Sequence, residues 1–331
     1  MICLGIESTA HTFGISIIDE KKGKAKVLAN VFDTYKTEKG GIIPVDAANH
    51  HVQVRDGLLA LALENSKLDL KDIDLISYSK SPGLAPCLKR GLEFAKALAE
   101  KTKKSLVGVN HCIAHLEIGR VMTQAKDPVL LYCSGANTQI IAYASGKYRI
   151  FGETLDVGIG NFIDTFARTA GLGFPGGPKI AELAEKSNKK LIELPYSVKG
   201  MDVSFSGLLT NLQQKLKSGN YRLEDLSYSL QETSFAMLLE VAERAMAHLG
   251  KKELLLGGGV ACNKRLQEMA GIMCEERGAK FFCPERQFLV DNAAMIAWLG
   301  ILMNKSGIQT GVEKADFDPN ERTDDVLVKW R

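Results

Sequence analysis

The feature that most constrains this 331-residue chain is a strand-and-turn form that occurs twice. Near the start, "MICLGIESTAHTFGISIID" reads as an apolar strand, a short polar turn and a second apolar strand. In the middle, "PVLLYCSGANTQIIAYASG" reads the same way. Each first strand runs into small and hydroxyl residues: Glu7-Ser8-Thr9 in one copy, Ser134-Gly135-Ala136-Asn137-Thr138 in the other. Such turns hold backbone N–H groups and hydroxyls at their tips, which suits a phosphate and makes Ser8 and Thr9 phosphate candidates. A single turn of this kind is common. Two of them, about 125 residues apart, predict a duplicated α/β unit with facing lobes.

The rest of the pattern alternates in the same sense. "VDAANHHVQVRDGLLALALENS" carries apolar residues at helical spacing, "DIDLISYS" is a strand, and "PGLAP" breaks the chain. "CLKRGLEFAKALAEKT" predicts a helix, "SLVGV" a strand and "HCIAHLEIGRVMT" a helix. Further helices are predicted near 160–171, 178–187, 205–217, 223–249, 260–277 and 291–304, with strands near 253–257 and 279–283. In "KGMDVSFSGLLT", Ser204 or Ser206 is the expected helix cap. A third glycine signal, "LLLGGGVACNKRLQEM", runs a buried strand into Gly257-Gly258-Gly259 and then a helix. Glycines there let backbone approach a ligand, and the helix start favours anions, so Gly258 and Gly259 join the phosphate candidates. The same residues also make an ordinary tight turn. They form neither a Walker loop nor a GxGxxG fingerprint.

Composition narrows the class. The seven cysteines (Cys3, Cys87, Cys112, Cys133, Cys262, Cys274, Cys283) are scattered, with no CxxC pair, which points to reduced thiols rather than a disulfide frame. No run of 18 apolar residues proposes a membrane span, and "MICLGIESTA" lacks the parts of a secretion signal. A cytoplasmic protein with no membrane partner is expected. The net charge of +3 neither announces nor excludes a nucleic-acid partner.

The candidate chemistry starts at "VGVNHCIAHLEIG", where His111 and His115 are two of six histidines. Four apart on a helix, they share a face and can reach one ion. Cys112 stands where a zincin helix has its glutamate base, so hydrolysis of that type lacks its base. Two histidines need an oxygen ligand from elsewhere; Asp291, Tyr132 and Glu117 are the candidates. A plain pair of surface or partly buried histidines fits the same spacing. Adjacent His50 and His51 diverge on a helix and read as surface or capping residues. Asp156, Asn161 and Asp164 lie in "LDVGIGNFIDTFAR", with Asp164 facing the loop "GFPGGP" as a ribose ligand or as a cap. Cys112 and Cys133 read as buried thiols rather than nucleophiles.

Taken together, "GIESTAHTFGISI", "SPGLAPCL", "GVNHCIAHLEIGR", "YCSGANTQIIAY", "GFPGGPKI", "LPYSVKGMDVSFSGLLT", "YSLQETSFAML", "GGVACNKRLQEM" and "DNAAMIAW" resemble, in order and over almost the whole chain, one family. It is the universal tRNA adenosine threonylcarbamoyltransferase family, formerly called O-sialoglycoprotein endopeptidase, in its archaeal/eukaryotic branch. The resemblance implies an α/β fold of the actin-like ATPase (ASKHA) type, with two RNase H-like lobes around a nucleotide cleft. The implied division is 1–109 for the first lobe, 110–309 for the second with a helical insertion, and a tail from about 310 to 331 returning to the first. It implies one divalent metal, Fe2+ or Zn2+, held by His111, His115 and Asp291 with Tyr132 as a further ligand. It implies an ATP- or AMP-type nucleotide or threonylcarbamoyl-AMP against Tyr132, Cys133, Ser134, Gly135, Ala136, Asp164, Gly177, Ala181 and Asn263. The implied partners are tRNA and the KEOPS subunits: a small atypical kinase, a dimerisation subunit and a kinase-regulating subunit. Several positions depart from the family's usual pattern: Ala136 replaces a glycine, Ala181 an acidic residue, Ile43 a histidine before Pro44, Asn49 an acidic residue and Cys262 an alanine. Besides the transferase, a non-enzymatic Hsp70-like ATP-binding module and a metalloprotease remain as readings.

Overall fold

A computed structural model describes residues 1–37 and 41–331. In chain order the elements are β1 (Ile2–Glu7), β2 (Thr12–Lys21), β3 (Lys24–Thr34), α1 (Pro44–Ser66), β4 (Leu75–Ser81), α2 (Ala85–Thr102), β5 (Ser105–Asn110) and α3 (His111–Thr123). There follow β6 (Val129–Cys133), β7 (Thr138–Ala144), β8 (Lys147–Glu153), α4 (Ile159–Thr169), α5 (Gly176–Glu185), β9 (Val198–Lys199), β10 (Asp202–Val203), α6 (Ser206–Ser218) and α7 (Leu223–Leu249). The chain ends with β11 (Glu253–Gly257), α8 (Lys264–Glu276), β12 (Lys280–Phe282), α9 (Arg286–Leu289), α10 (Ala293–Lys305) and an irregular tail.

These elements form two compact units. One comprises residues 1–124, 144–148 and 291–331; the other comprises 125–143 and 149–290. The first unit's sheet runs β3-β2-β1-β4-β5. β1 and β2, and β2 and β3, are antiparallel; β1 and β4, and β4 and β5, are parallel. The second sheet, read as β8-β7-β6-β11-β12, repeats that order, with β6 and β7 antiparallel and β6, β11 and β12 parallel. The duplicated hairpin seen in the sequence is therefore the seed of a duplicated sheet.

Local chemistry explains the elements. β1 is a near-continuous apolar run because both its faces are covered. On one face α10 lies so close that a Cβ on Gly5 would sit 2.4 Å from the Ala293 carbonyl oxygen and 2.6 Å from the Ala297 nitrogen. Only glycine admits that approach of backbone to backbone. The predicted helix near 291–304 begins at Ala293, because the Asn292 side chain accepts from the Met295 N–H at 3.1 Å and caps it. Asp291 is thereby left just outside the helix. The predicted helix near 260–277 is two pieces: Asn263 ends a short 3-10 turn and caps α8 through the Arg265 N–H at 2.8 Å.

Two expectations are corrected. Neither Ser204 nor Ser206 caps α6; the Asp156 carboxylate does, accepting from the N–H groups of Phe205 and Ser206, both at 2.9 Å. A carboxylate offers two stronger acceptors than a hydroxyl, and it arrives from 50 residues away. Burial works against its charge, yet these backbone donors hold the Asp156 pKa below the usual carboxylate value. His51 is not a surface residue: it is fully buried, with its ring centre 5.3 Å from that of Phe13. Among the described residues, no helix is long and apolar enough to cross a membrane.

Candidate metal centre

The histidine pair sits where β5 gives way to α3. The Asn110 side chain caps the helix, accepting from the Cys112 N–H at 3.1 Å and the Ile113 N–H at 3.2 Å. That cap fixes the first turn, so His111 and His115 share one buried face, with ring centres 4.7 Å apart. Asp291 comes from the far end of the chain but lies in the same unit. Its Oδ1 is 3.4 Å from His111 Nε2 and 3.5 Å from His115 Nε2. One ligand atom from each of the three lies within 4.8 Å of the others.

This set fits a divalent ion. Arms of about 2.0–2.1 Å from a tetrahedral centre put neighbouring ligand atoms roughly 3.3–3.4 Å apart, close to the two His–Asp separations. Two imidazoles and one carboxylate suit zinc or ferrous iron and leave coordination positions for other oxygens.

A residue the sequence did not single out completes the set. Glu7, fully buried at the end of β1, accepts from His111 Nδ1 at 3.0 Å through Oε2. Its Oε1 accepts the Thr9 N–H at 2.7 Å and the Thr9 hydroxyl at 2.5 Å. A carboxylate on Nδ1 fixes the tautomer and turns the lone pair of Nε2 toward Asp291, the usual arrangement behind a metal-bound histidine. The available signal was a charged residue ending a buried apolar strand. Burial opposes an imidazolium at His111, but Glu7 and Asp291 outweigh it and hold its pKa well above the usual value. At His115 burial prevails and the pKa falls. Burial raises the Asp291 pKa in principle, but the two imidazoles draw it well below the usual range.

Other predicted residues fall elsewhere. Glu117 does not join the three ligands; its carboxylate is engaged by Tyr148, Trp330 and Arg120. Ser8 and Thr9 are buried with their N–H groups already donated, to Ser79 Oγ at 2.9 Å and to Glu7. Cys112 and Cys133 are fully buried, and burial pushes both thiols up.

The remaining candidates belong to the second unit, where β6 and β11 end side by side. Tyr132 and Cys133 close β6 and are buried. Ser134 N and Oγ both donate to the Asn137 carbonyl, at 2.8 and 3.0 Å, and tie off the turn. Gly135 and Ala136 are left exposed at its tip. The start of α4 packs on this turn: Gly160 N donates to Ser134 O at 3.0 Å and Asn161 N to Gly135 O at 2.9 Å. A Cβ on Gly158 would lie 2.4 Å from the Gly135 carbonyl oxygen. Gly258 has φ +88° and ψ 159°, and its Cβ would lie 2.3 Å from the Cys133 carbonyl oxygen, whereas Gly259 has open space. Asn263 Oδ1 is used as a cap, and its Nδ2 donates to Gln231 at 2.5 Å. Asp164 Oδ1 accepts the Gly176 N–H at 2.7 Å and so organises the start of α5, on which Gly177 and Ala181 lie. The carboxyl ends of parallel strands are the common ligand edge of α/β sheets.

Residues 26–298 match the family described as TsaD: tRNA N6-adenosine threonylcarbamoyltransferase. The chain belongs to this family. A Thermococcus kodakarensis protein named tRNA N6-adenosine threonylcarbamoyltransferase is 57% identical over 330 residues, covering 100% of both chains. A Methanocaldococcus jannaschii relative, named "Probable bifunctional tRNA threonylcarbamoyladenosine biosynthesis protein", is 51% identical; the match covers 100% of this chain and 60% of that one. Among solved structures, Thermococcus kodakarensis HypF shares the fold with a TM-score of 0.63 at 16% identity, over 92% of this chain and 48% of that one. The α/β architecture is thus that of the actin-like ATPases.

Proposed function

We propose that this protein transfers a threonylcarbamoyl group from threonylcarbamoyl-AMP to N6 of the adenosine 3′ to the anticodon, in tRNAs that read ANN codons. The observation that carries the reading is the full-length likeness to a protein named for this transfer. The convergence of His111, His115 and Asp291 supports it.

In this reaction the N6 amine attacks the carbamoyl carbon. The new C–N bond forms, the bond from that carbon to the phosphate oxygen breaks, and AMP leaves with the electron pair. N6 gives up one proton. A divalent ion, iron or zinc, held by His111, His115 and Asp291, would bind and polarise oxygens of the threonylcarbamoyl group. Glu7 holds His111 in the tautomer that presents Nε2. The turn Ser134–Asn137 and the Gly257–Gly259 loop offer backbone to the nucleotide, with Asp164, Gly177, Ala181 and Asn263 beside its base and ribose. The methyl of Ala136 stands at the exposed tip, where the backbone meets this ligand. The protein's remaining task is to hold amine and carbonyl in line.

The two compact units act as the two lobes, in the cytoplasm, with a small atypical kinase, a dimerisation subunit and a kinase-regulating subunit of a KEOPS-type complex as partners. A peptidase reading is not favoured, since Cys112 occupies the place of the catalytic glutamate. The test is reconstitution with tRNA, threonylcarbamoyl-AMP and those partners, comparing wild type with His115→Ala. Modified tRNA from wild type and a loss of 100-fold or more, on the order expected for a missing metal ligand, is the expected result. Equal modification by both refutes the metal-centred reading. Nucleotide binding without any modified tRNA favours the non-enzymatic module instead.

A further inference from the structure

The C-terminal tail touches α3 at three successive points, all within the first unit. At the start of the helix, the Asn110 amide that caps α3 also donates from Nδ2 to the Glu321 carbonyl at 3.5 Å. The Glu321 carboxylate is itself anchored, accepting from Lys80 Nζ at 2.7 Å and from the Ser81 hydroxyl. One residue into the helix, the Thr323 hydroxyl, buried to 2% exposure, hydrogen-bonds with the Cys112 thiol. Further along, the Trp330 indole N–H donates to Glu117 Oε1 at 2.9 Å.

Glu117 is 1% exposed and lies two residues past His115. A buried carboxylate is costly unless its lone pairs are filled. Here Oε1 accepts from Trp330 and from the Tyr148 hydroxyl, and Oε2 accepts from Arg120 at 2.7 Å. Tyr148 sits at the tip of the β7–β8 hairpin, and the tail runs beside that tip. Val328 N donates to the Gly146 carbonyl at 3.1 Å, Lys147 Nζ to the Asp324 carbonyl at 2.9 Å, and the Arg331 guanidinium lies 5.5 Å from the Tyr148 ring centre. The tail therefore arrives at α3 already held on its outer side.

An apolar contact would hold α3 in place with less specificity than a filled carboxylate, whose donors fix direction as well as distance. We propose that the segment Glu321–Trp330 is a positioning strap for α3, with the Trp330–Glu117 hydrogen bond as its latch. By setting the rotation and depth of α3, the strap sets where His111 and His115 present Nε2 to a cation shared with Asp291. The inference rests on the metal reading of those three residues. Trp330 and Glu117 touch no reacting atom; they are positioning residues.

The test uses the full chain loaded with Co2+ alone, whose visible ligand-field bands report ligand geometry. Trp330→Phe keeps an aromatic ring but removes the indole N–H together with its five-membered ring. Its Co2+ affinity, by chelator competition, is expected to fall roughly 3- to 30-fold, below the ~10- to 100-fold cost of losing a direct partner of a ligand. The Co2+ bands should shift in position or intensity, whether or not the apo protein's melting temperature falls with the loss of one donor to the buried carboxylate. Glu117→Gln, which keeps an oxygen for Trp330 and Tyr148 but loses the Arg120 pair, should fall between wild type and Trp330→Phe. Unchanged bands and affinity in Trp330→Phe, with a lower melting temperature or without one, overturn the strap as a positioning device. His115→Ala separates the two readings. If it binds Co2+ as wild type does, the metal reading fails and the strap with it. If it loses Co2+ while Trp330→Phe matches wild type, the strap alone fails.

Discussion

Replacing Gly258 with alanine tests the loop at the end of β11, and replacing its neighbour Gly259 supplies the control. Gly258 has φ +88° and ψ 159°, a region open essentially to glycine alone, and placing another residue there costs about 1–3 kcal/mol. The added Cβ would also lie 2.3 Å from the Cys133 carbonyl oxygen and 2.5 Å from its carbon. Backbone, unlike a side-chain end, does not swing aside, so β6 and the loop must separate by about 1 Å to reach ordinary contact. Together these set a loss of about 3 kcal/mol or more for Gly258→Ala. For a unit of this size, each 1 kcal/mol moves the melting temperature by roughly 2–4 °C, so a drop of about 6–12 °C follows. Gly259 meets nothing within 4 Å and has no positive φ. Gly259→Ala should be within about 1 kcal/mol of wild type, on either side. Thermal unfolding followed by fluorescence reads both, and calorimetric titration with AMP reads the turn itself: Gly258→Ala should weaken binding at a temperature where it is still folded. Equal melting temperatures for the two variants, or Gly259→Ala as the worse, would refute the reasoning from backbone approach.

Three further outcomes follow from the same structure. Glu7→Gln should lower affinity for Zn2+ by roughly 10- to 100-fold, read by chelator competition, because the carboxylate behind His111 is lost; unchanged affinity would remove Glu7 from the centre. Asp156→Ala should cost about 1–2 kcal/mol in urea unfolding and Ser206→Ala close to nothing, since the cap of α6 is the distant carboxylate; the reverse order would restore the serine as the cap. Burial lowers the His51 pKa to about 4, with His50 and His11 adding to the effect. Between that value and about 6.5 the unfolded chain binds more protons, so stability rises with pH across this window, by up to ~3 kcal/mol from this residue. His51→Leu should flatten the denaturation midpoint between pH 4.5 and 7, and a slope equal to that of wild type would contradict the assignment.

What the sequence made legible was whatever depends on neighbours along the chain. The two hairpins, the helix carrying His111 and His115, and the glycine run after β11 are local patterns of period and turn chemistry. The pairing of Asp291 with the histidines entered through likeness to a family, because spacing alone left Asp291, Tyr132 and Glu117 level. The rest depended on contacts between distant segments. Glu7 read as part of a turn, and its partner His111 lies 104 residues on. Asp156 read as a possible ligand and proved to be a cap for a helix beginning at Ser206. Glu117 carried the right chemistry for a metal, but its donors arrive from residues 148 and 330. His51 read as a surface or capping residue because it diverges from adjacent His50 on a helix, while packing against Phe13 buries it.

The backbone contact at Gly5 also bears on the order in which the chain can assemble. The face of β1 that meets α10 has its cover encoded at residues 293–305, near the opposite terminus. At about 5–20 residues per second, a ribosome needs roughly 15–60 seconds to make the intervening stretch. During that interval the first sheet exists with one apolar face bare. The second unit, whose segments are contiguous but for the hairpin tip, can close earlier although it is made later. Birth order and folding order can thus run in opposite directions, with the newborn N-terminal sheet the surface left longest without its cover.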